Sequence, residues 1–205
     1  MQPQLNRYVN DAGLELVAGQ FEQLLAYAQL IAKWSKVVNL VGSASPDTIA
    51  RTHIGDCISV VPFLEGTDIV DVGSGAGLPG LVIAIVRPTW RVTLVESRQR
   101  KCRFLRQAVI ELGLSNTAVV AERIEQWRPP RTYDAAICRG YAALDKFFDD
   151  TSALHRAGLR LYAMKGVVDP VEIGRVPANS ADVEVRELNV PEWHHRHLVT
   201  IRCNA

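Results

Sequence analysis

The segment Asp71-Val72-Gly73-Ser74-Gly75-Ala76-Gly77-Leu78-Pro79-Gly80 constrains the fold more than any other stretch of the chain. A strand-like run, Asp68 to Val72, leads into it, and the apolar run Leu81 to Val86 leaves it. Strand, glycine loop, helix is the arrangement in which open α/β sheets bind nucleotides, because a backbone without Cβ atoms can turn sharply and let a ligand approach. A tight structural turn would not need four glycines within eight residues. Further strand-like runs follow at Val92–Val95, Thr117–Ala121, Tyr133–Cys138 and Leu159–Met164, with a basic amphipathic helix from Arg98 to Leu112. Alternation of this kind implies a parallel sheet with right-handed crossovers. The last two runs, Val183–Val190 and His197–Cys203, have no room for a full helix between them and imply an antiparallel edge hairpin.

Upstream of the sheet the period is helical. Phe21, Leu24, Leu25, Ala28, Ile31, Trp34 and Val38 recur at three- and four-residue steps. Ser45-Pro46 reads as a cap followed by a first-turn proline, opening a second stripe of Ile49, His53, Ile54, Cys57, Ile58 and Val61. The expected organisation is a helical N-terminal extension over residues 1–66, packed on an α/β domain over 67–205.

The loop's ligand follows from charge. There is no G-x-x-x-x-G-K-[ST], so a phosphate-cradling loop is excluded. The dinucleotide pattern G-x-G-x-x-G fails from Gly73, where Leu78 holds the third position, but fits on letters from Gly75 to Gly80. Asp71 at the strand end would repel a pyrophosphate and attract a cationic ligand. S-adenosylmethionine, with its sulfonium and ammonium groups, is such a ligand. Glu96 ends the next strand, where a carboxylate can accept both ribose hydroxyls of an adenosine; alone it does not choose between NAD and S-adenosylmethionine. The loop of residues 121–125, after the third strand, borders the place an adenine would occupy, with Ile124 able to pack on its face; Glu122 and Glu125 could equally be plain surface charges. Gly73, Gly75 and Gly77 belong to the expected cofactor set.

Composition limits the rest. Hydrophobic residues make up 48% of the 205 and charged residues 22%, as in ordinary globular domains. The longest apolar run, Leu81 to Val86, is far short of the roughly 20 residues of a membrane span, and the N-terminus has no apolar leader segment. Cys57, Cys102, Cys138 and Cys203 are scattered, without a C-x-x-C pair. A reduced, cytoplasmic protein with no membrane partner and no metal is expected. His194-His195-x-His197 lacks the Cys or carboxylate neighbours of a metal site. Cys138 is read as a buried strand thiol, not a nucleophile.

Several further motifs carry a specific resemblance. Lys33-Trp34-Ser35-Lys36-Val37-Val38-Asn39-Leu40, His53-Ile54-Gly55-Asp56-Cys57, Arg103-Phe104-Leu105, Arg139-Gly140-Tyr141-Ala142, Lys165-Gly166 and Arg196-His197-Leu198 occur in order around the glycine loop. Together they resemble the RsmG (GidB) family of bacterial small-subunit (16S) ribosomal RNA guanine-N7 methyltransferases. The resemblance implies a Rossmann-like class I S-adenosylmethionine-dependent methyltransferase fold with a mostly parallel seven-stranded sheet. It also implies cofactor contacts at Gly73, Leu78, Ile124, Glu125 and Arg139. Gly55, Cys57, Gly140 and Tyr141 stand where the family pattern has Leu, Ser, Ala and Phe; Gly55 should cost its helix about 1 kcal/mol.

Guanine N7 has an in-plane lone pair and no proton, so in-line transfer to it requires no general base. Arg139, at a strand end, could orient the cofactor or guanine O6. His53, Asp56, Lys165, Arg196 and His197 are candidates for receiving the RNA. Arg100, Lys101 and Arg103, with Arg98 and Arg106, form a basic helix suited to phosphates. Residues 98–131 hold eight basic and three acidic side chains, a net of +5 in a chain whose total is +1. The partner implied is 16S RNA or the assembled small subunit, with the enzyme acting as a monomer. Two alternatives stay open: a methyltransferase of a small molecule or protein, and a non-catalytic RNA- or cofactor-binding module.

Overall fold

The computed structural model describes residues 2–42, 45–190 and 195–204. Seven strands form one sheet: β1 (Asp68–Val72), β2 (Arg91–Val95), β3 (Thr117–Val120), β4 (Ala135–Arg139), β5 (Arg160–Lys165), β6 (Ala181–Glu187) and β7 (His197–Cys203). Their order is β3-β2-β1-β4-β5-β7-β6. β1 to β5 pair in parallel, and β7 runs antiparallel to both β5 and β6. The expected edge hairpin is present, with β6 two residues earlier than its apolar run suggested because pairing with β7 spans Ala181↔Cys203 to Glu187↔His197. β1 lies at the centre, and the chain leaves it toward β2 on one side and β4 on the other. The crevice above this reversal is where such sheets place ligands.

Each face of the sheet has its own core. Alternation along β1 sends Ile69 to one face and Val70 and Val72 to the other. The first face is covered by α1 (Gln2–Asp11), α2 (Gln20–Ser35), α4 (Gly55–Val60), α5 (Gly80–Val86) and α6 (Gln99–Glu111). The second packs Phe147 and Phe148 of α7 (Leu144–Asp150) with Trp127 and Tyr133. A short α8 (Pro170–Gly174) follows β5.

The second N-terminal stripe begins as expected at α3 (Pro46–Ile49): the Ser45 hydroxyl accepts the Thr48 N–H at 3.1 Å. It then widens. Ala50–Ile54 forms a π-type turn, in which the Gly55 N–H reaches Ala50 O, and α4 follows. The extra residue in the turn changes the direction of the side chains around it, and π-turns are frequent at functional sites.

Gly55 is explained by a residue far away in sequence. A Cβ at this position would lie 2.5–2.7 Å from the buried ring of Tyr8 on α1. The ring fills the space that a larger residue would use. Gly55→Leu is therefore expected to destabilise the protein by about 2 kcal/mol through overpacking, even after the helix-propensity gain. The melting temperature should fall by about 4–8 °C. Adding Tyr8→Ala should recover part of that loss in thermal unfolding, whereas additive losses would show that the two residues do not share the space.

Candidate functional site

The glycine loop is held from three sides. The N–H groups of Gly73 and Ser74 donate to Val95 O at 2.9 and 3.1 Å, and the Ser74 hydroxyl donates to Asp71 O at 2.8 Å. From α2, the Tyr27 hydroxyl donates to Ala76 O at 2.5 Å. Glu96 is 6% exposed; its Oε2 accepts the Gly75 N–H at 3.0 Å and its Oε1 the Arg98 N–H at 2.8 Å. This carboxylate pins two loops together, and each oxygen keeps a lone pair for a further donor.

Over the loop lies a cavity of about 350 Å³, within the usual range for small-molecule sites. Gly73, Glu96, Lys101, Ile124, Glu125 and Tyr141 are among its walls. The sequence-derived set is thus brought together at Gly73, Glu96, Ile124 and Glu125. Gly75 supports the cavity through its bond to Glu96 without lining it, and Gly77 and Leu78 are buried behind the loop.

Asp71 is placed differently from its expected position facing the ligand. It is 0% exposed, because strand alternation puts it on the same face as Ile69, beneath α5. Its Oδ2 accepts the Gly80 N–H at 2.9 Å and so caps the first turn of α5. Burial pushes its pKa up to about 7, although the Gly80 hydrogen bond opposes the shift. Asp71 shapes the loop and does not line the cavity.

A second cavity of about 360 Å³ adjoins the first. It is lined by His53, Asp56, Arg139, Met164, Lys165 and Arg196, and Gly140 borders both cavities. Arg139, read from sequence as a cofactor contact, opens here. Its Nη1 donates to Asp56 Oδ2 at 3.2 Å and lies 3.3 Å from His53 Nδ1. An arginine can only donate, so His53 Nδ1 is the acceptor and the ring is neutral. Burial, with the charges of Arg139 and Arg196, pulls the His53 pKa down to about 4, in agreement. Lys165 Nζ donates to Ala142 O at 3.1 Å and to Glu172 Oε2 at 2.8 Å, which ties β5 to α8.

The remaining candidates lie elsewhere. Arg100 and Arg103 are exposed on α6 and line neither cavity. His197 Nδ1 lies 2.7 Å from Gly166 O, outside the cavity wall. His194 lies outside the described residues, and among those described no group of three His, Cys, Asp or Glu side chains could hold a metal. Burial pushes the Cys138 thiol far up, which keeps it protonated.

Sequence reasoning missed Tyr141 as a wall. Its ring packs against Gly73 and Phe147, and its hydroxyl donates to Asp150 Oδ2 at 2.6 Å. Only the departure from Phe in the resembled motif drew notice to it. Lys146, whose Nζ donates to Asp150 Oδ2 at 2.8 Å, was also missed.

The sequence matches the family model described as GidB, rRNA small subunit methyltransferase G, over residues 20–199. A protein named ribosomal RNA small subunit methyltransferase G from Nitrosococcus oceani is 41% identical over 191 residues, covering 93% of this chain and 89% of its own. One of the same name from Klebsiella pneumoniae is 38% identical over 203 residues, covering 98% of each chain. In fold, the chain is similar to magnesium protoporphyrin IX methyltransferase from Synechocystis PCC 6803, solved with bound S-adenosylmethionine. That match has a TM-score of 0.61 at 15% identity, covering 86% of this chain and 97% of that one.

Proposed function

The chain belongs to the GidB family, rRNA small subunit methyltransferase G, and from that premise we propose that it methylates the N7 of a guanine in 16S ribosomal RNA with S-adenosylmethionine. The observation that carries this reading is the pair of adjoining cavities with Gly140 between them. One suits an adenosine-bearing methyl donor, and the other presents guanidinium donors to a base. Residues of the first cavity fit the cofactor: Glu96 retains acceptor capacity for ribose hydroxyls, Ile124 offers an apolar face for adenine, and Gly73 leaves room where a Cβ would meet Tyr141. S-adenosylmethionine supplies an electrophilic methyl group on a sulfonium.

The chain's own part is to hold and align. Guanine N7 needs no deprotonation, and the second cavity fits that demand: His53 already accepts from Arg139, leaving its walls rich in donors. Arg139 would meet guanine at O6, at the edge of the ring, clear of the face that becomes cationic. Around the site, Arg98, Arg100, Arg103 and Arg106 are exposed and form no ion pair with a described residue. They are suited to RNA phosphates, which makes binding salt-dependent.

The test is incorporation of labelled methyl from S-adenosylmethionine into unmodified small subunits and into naked 16S RNA, with the product nucleotide mapped. One N7-methylguanine is expected, and incorporation should fall as salt rises. Methyl on another atom or another RNA, or no incorporation into either substrate, would overturn the proposal.

A further inference from the structure

The second cavity contains an ionic cluster assembled from three distant parts of the chain. Asp56, 2% exposed, belongs to the first turn of α4; Arg139 ends β4; Arg196 immediately precedes β7. Asp56 Oδ2 lies 3.2 Å from Arg139 Nη1, and its Oδ1 lies 3.0 Å from Arg196 Nε. Both arginines are about one-fifth exposed, on the cavity side. A buried carboxylate between two guanidiniums is a poor device for stability, since apolar side chains of similar volume commonly serve as well or better. It is a good device for fixing where two rigid, planar groups face.

We propose that Asp56 is a positioning residue for methyl transfer. Its carboxylate fixes Arg139, so that the guanidinium N–H groups not used by Asp56 and His53 face the second cavity, receive guanine O6 and turn N7 toward the cofactor cavity. The inference rests on the guanine-N7 reading above and adds how the base is chosen and aimed. Guanine presents O6 and N7 as adjacent acceptors, whereas adenine presents an amino donor in place of O6. That donor would face an N–H group of Arg139 instead of pairing with it, so the contact made to O6 is lost for adenine. Gly140, next in sequence to Arg139, borders both cavities, so the O6 contact would fall beside the passage between them. The bond from Arg139 to His53 Nδ1 restrains the same guanidinium from the π-turn side.

Two variants test the role. Asp56→Asn keeps the shape and removes the charge; Asp56→Glu keeps the charge and moves it outward by one methylene. With Asp56→Asn, kcat on small subunits is expected to fall about 100-fold, the scale of an ångström-level misplacement of reacting groups. Asp56→Glu should lose at least about tenfold by the same argument. S-adenosylmethionine affinity, measured by calorimetry, should stay within about threefold in both, because Asp56 does not line the cofactor cavity. A role limited to neutralising buried charge would leave Asp56→Glu close to wild type. A folded variant of either kind with near-wild-type kcat overturns the proposal, and Asp56→Glu decides it if Asp56→Asn does not fold. Wild-type protein that fails to methylate guanine N7 overturns the functional reading instead, so the two failures are distinct.

Discussion

Arg139→Ala is expected to lower kcat about 1,000-fold, the upper end of the loss from removing one preorganised donor, while S-adenosylmethionine still binds. The split follows from placement. Arg139 opens on the cavity with His53, Asp56, Lys165 and Arg196, not on the one with Glu96 and Ile124. Removing its guanidinium takes away a donor of the second cavity next in sequence to Gly140, which borders both. The fold should survive, because Asp56 keeps Arg196 at 3.0 Å and is not left as a lone buried charge. Calorimetry with S-adenosylmethionine and single-turnover methylation of small subunits check the two halves separately. A tenfold or larger loss of cofactor affinity would make Arg139 a cofactor contact, as the family resemblance implies. Unchanged methylation would remove it from the site altogether.

That distinction marks where sequence stops being informative. Glu96 and Ile124 could be found because each lies at or just past the end of a strand whose apolar run is visible, and the C-terminal ends of parallel strands converge on one crevice, whereas Glu125 came only with the family resemblance. Asp71 could be placed at the same crevice but not oriented. Whether it faced the ligand or α5 depended on the parity of β1, which no alternation reveals when all five residues of the strand are buried. The cluster of Asp56, Arg139 and Arg196 was visible only as three separate candidates. Their contacts span 83 residues between Asp56 and Arg139, and the π-turn that directs Asp56 toward β4 has no local signature. Gly55 looked like a weak point in a helix because its reason, the Tyr8 ring, lies 47 positions earlier (55 − 8). Local chemistry at strand ends is legible in a sequence; pairing across the fold depends on which faces meet.

Gly73→Ala carries the second large expectation, because two separate penalties meet at one atom. The backbone at Gly73 has φ +66°, and an L-residue in that region costs about 1–2 kcal/mol. In addition, the new Cβ would lie 2.6 Å from the Tyr141 ring, well inside van der Waals contact. The ring cannot turn away freely, since its hydroxyl is held by Asp150 at 2.6 Å and its edge packs on Phe147. Relief must come from the loop or from the ring, and both are walls of the cavity proposed for the cofactor. S-adenosylmethionine affinity is therefore expected to fall at least about 30-fold, roughly 2 kcal/mol. The melting temperature should fall by about 3–6 °C. Pairing Gly73→Ala with Tyr141→Ala separates the penalties. The double variant loses the clash and keeps the backbone strain, so it should bind the cofactor better than the sum of the single losses predicts, with a coupling of about 1 kcal/mol. Strict additivity would mean that the ring and the loop do not press on one another, and wild-type affinity in Gly73→Ala would mean that this loop does not form the cofactor's seat.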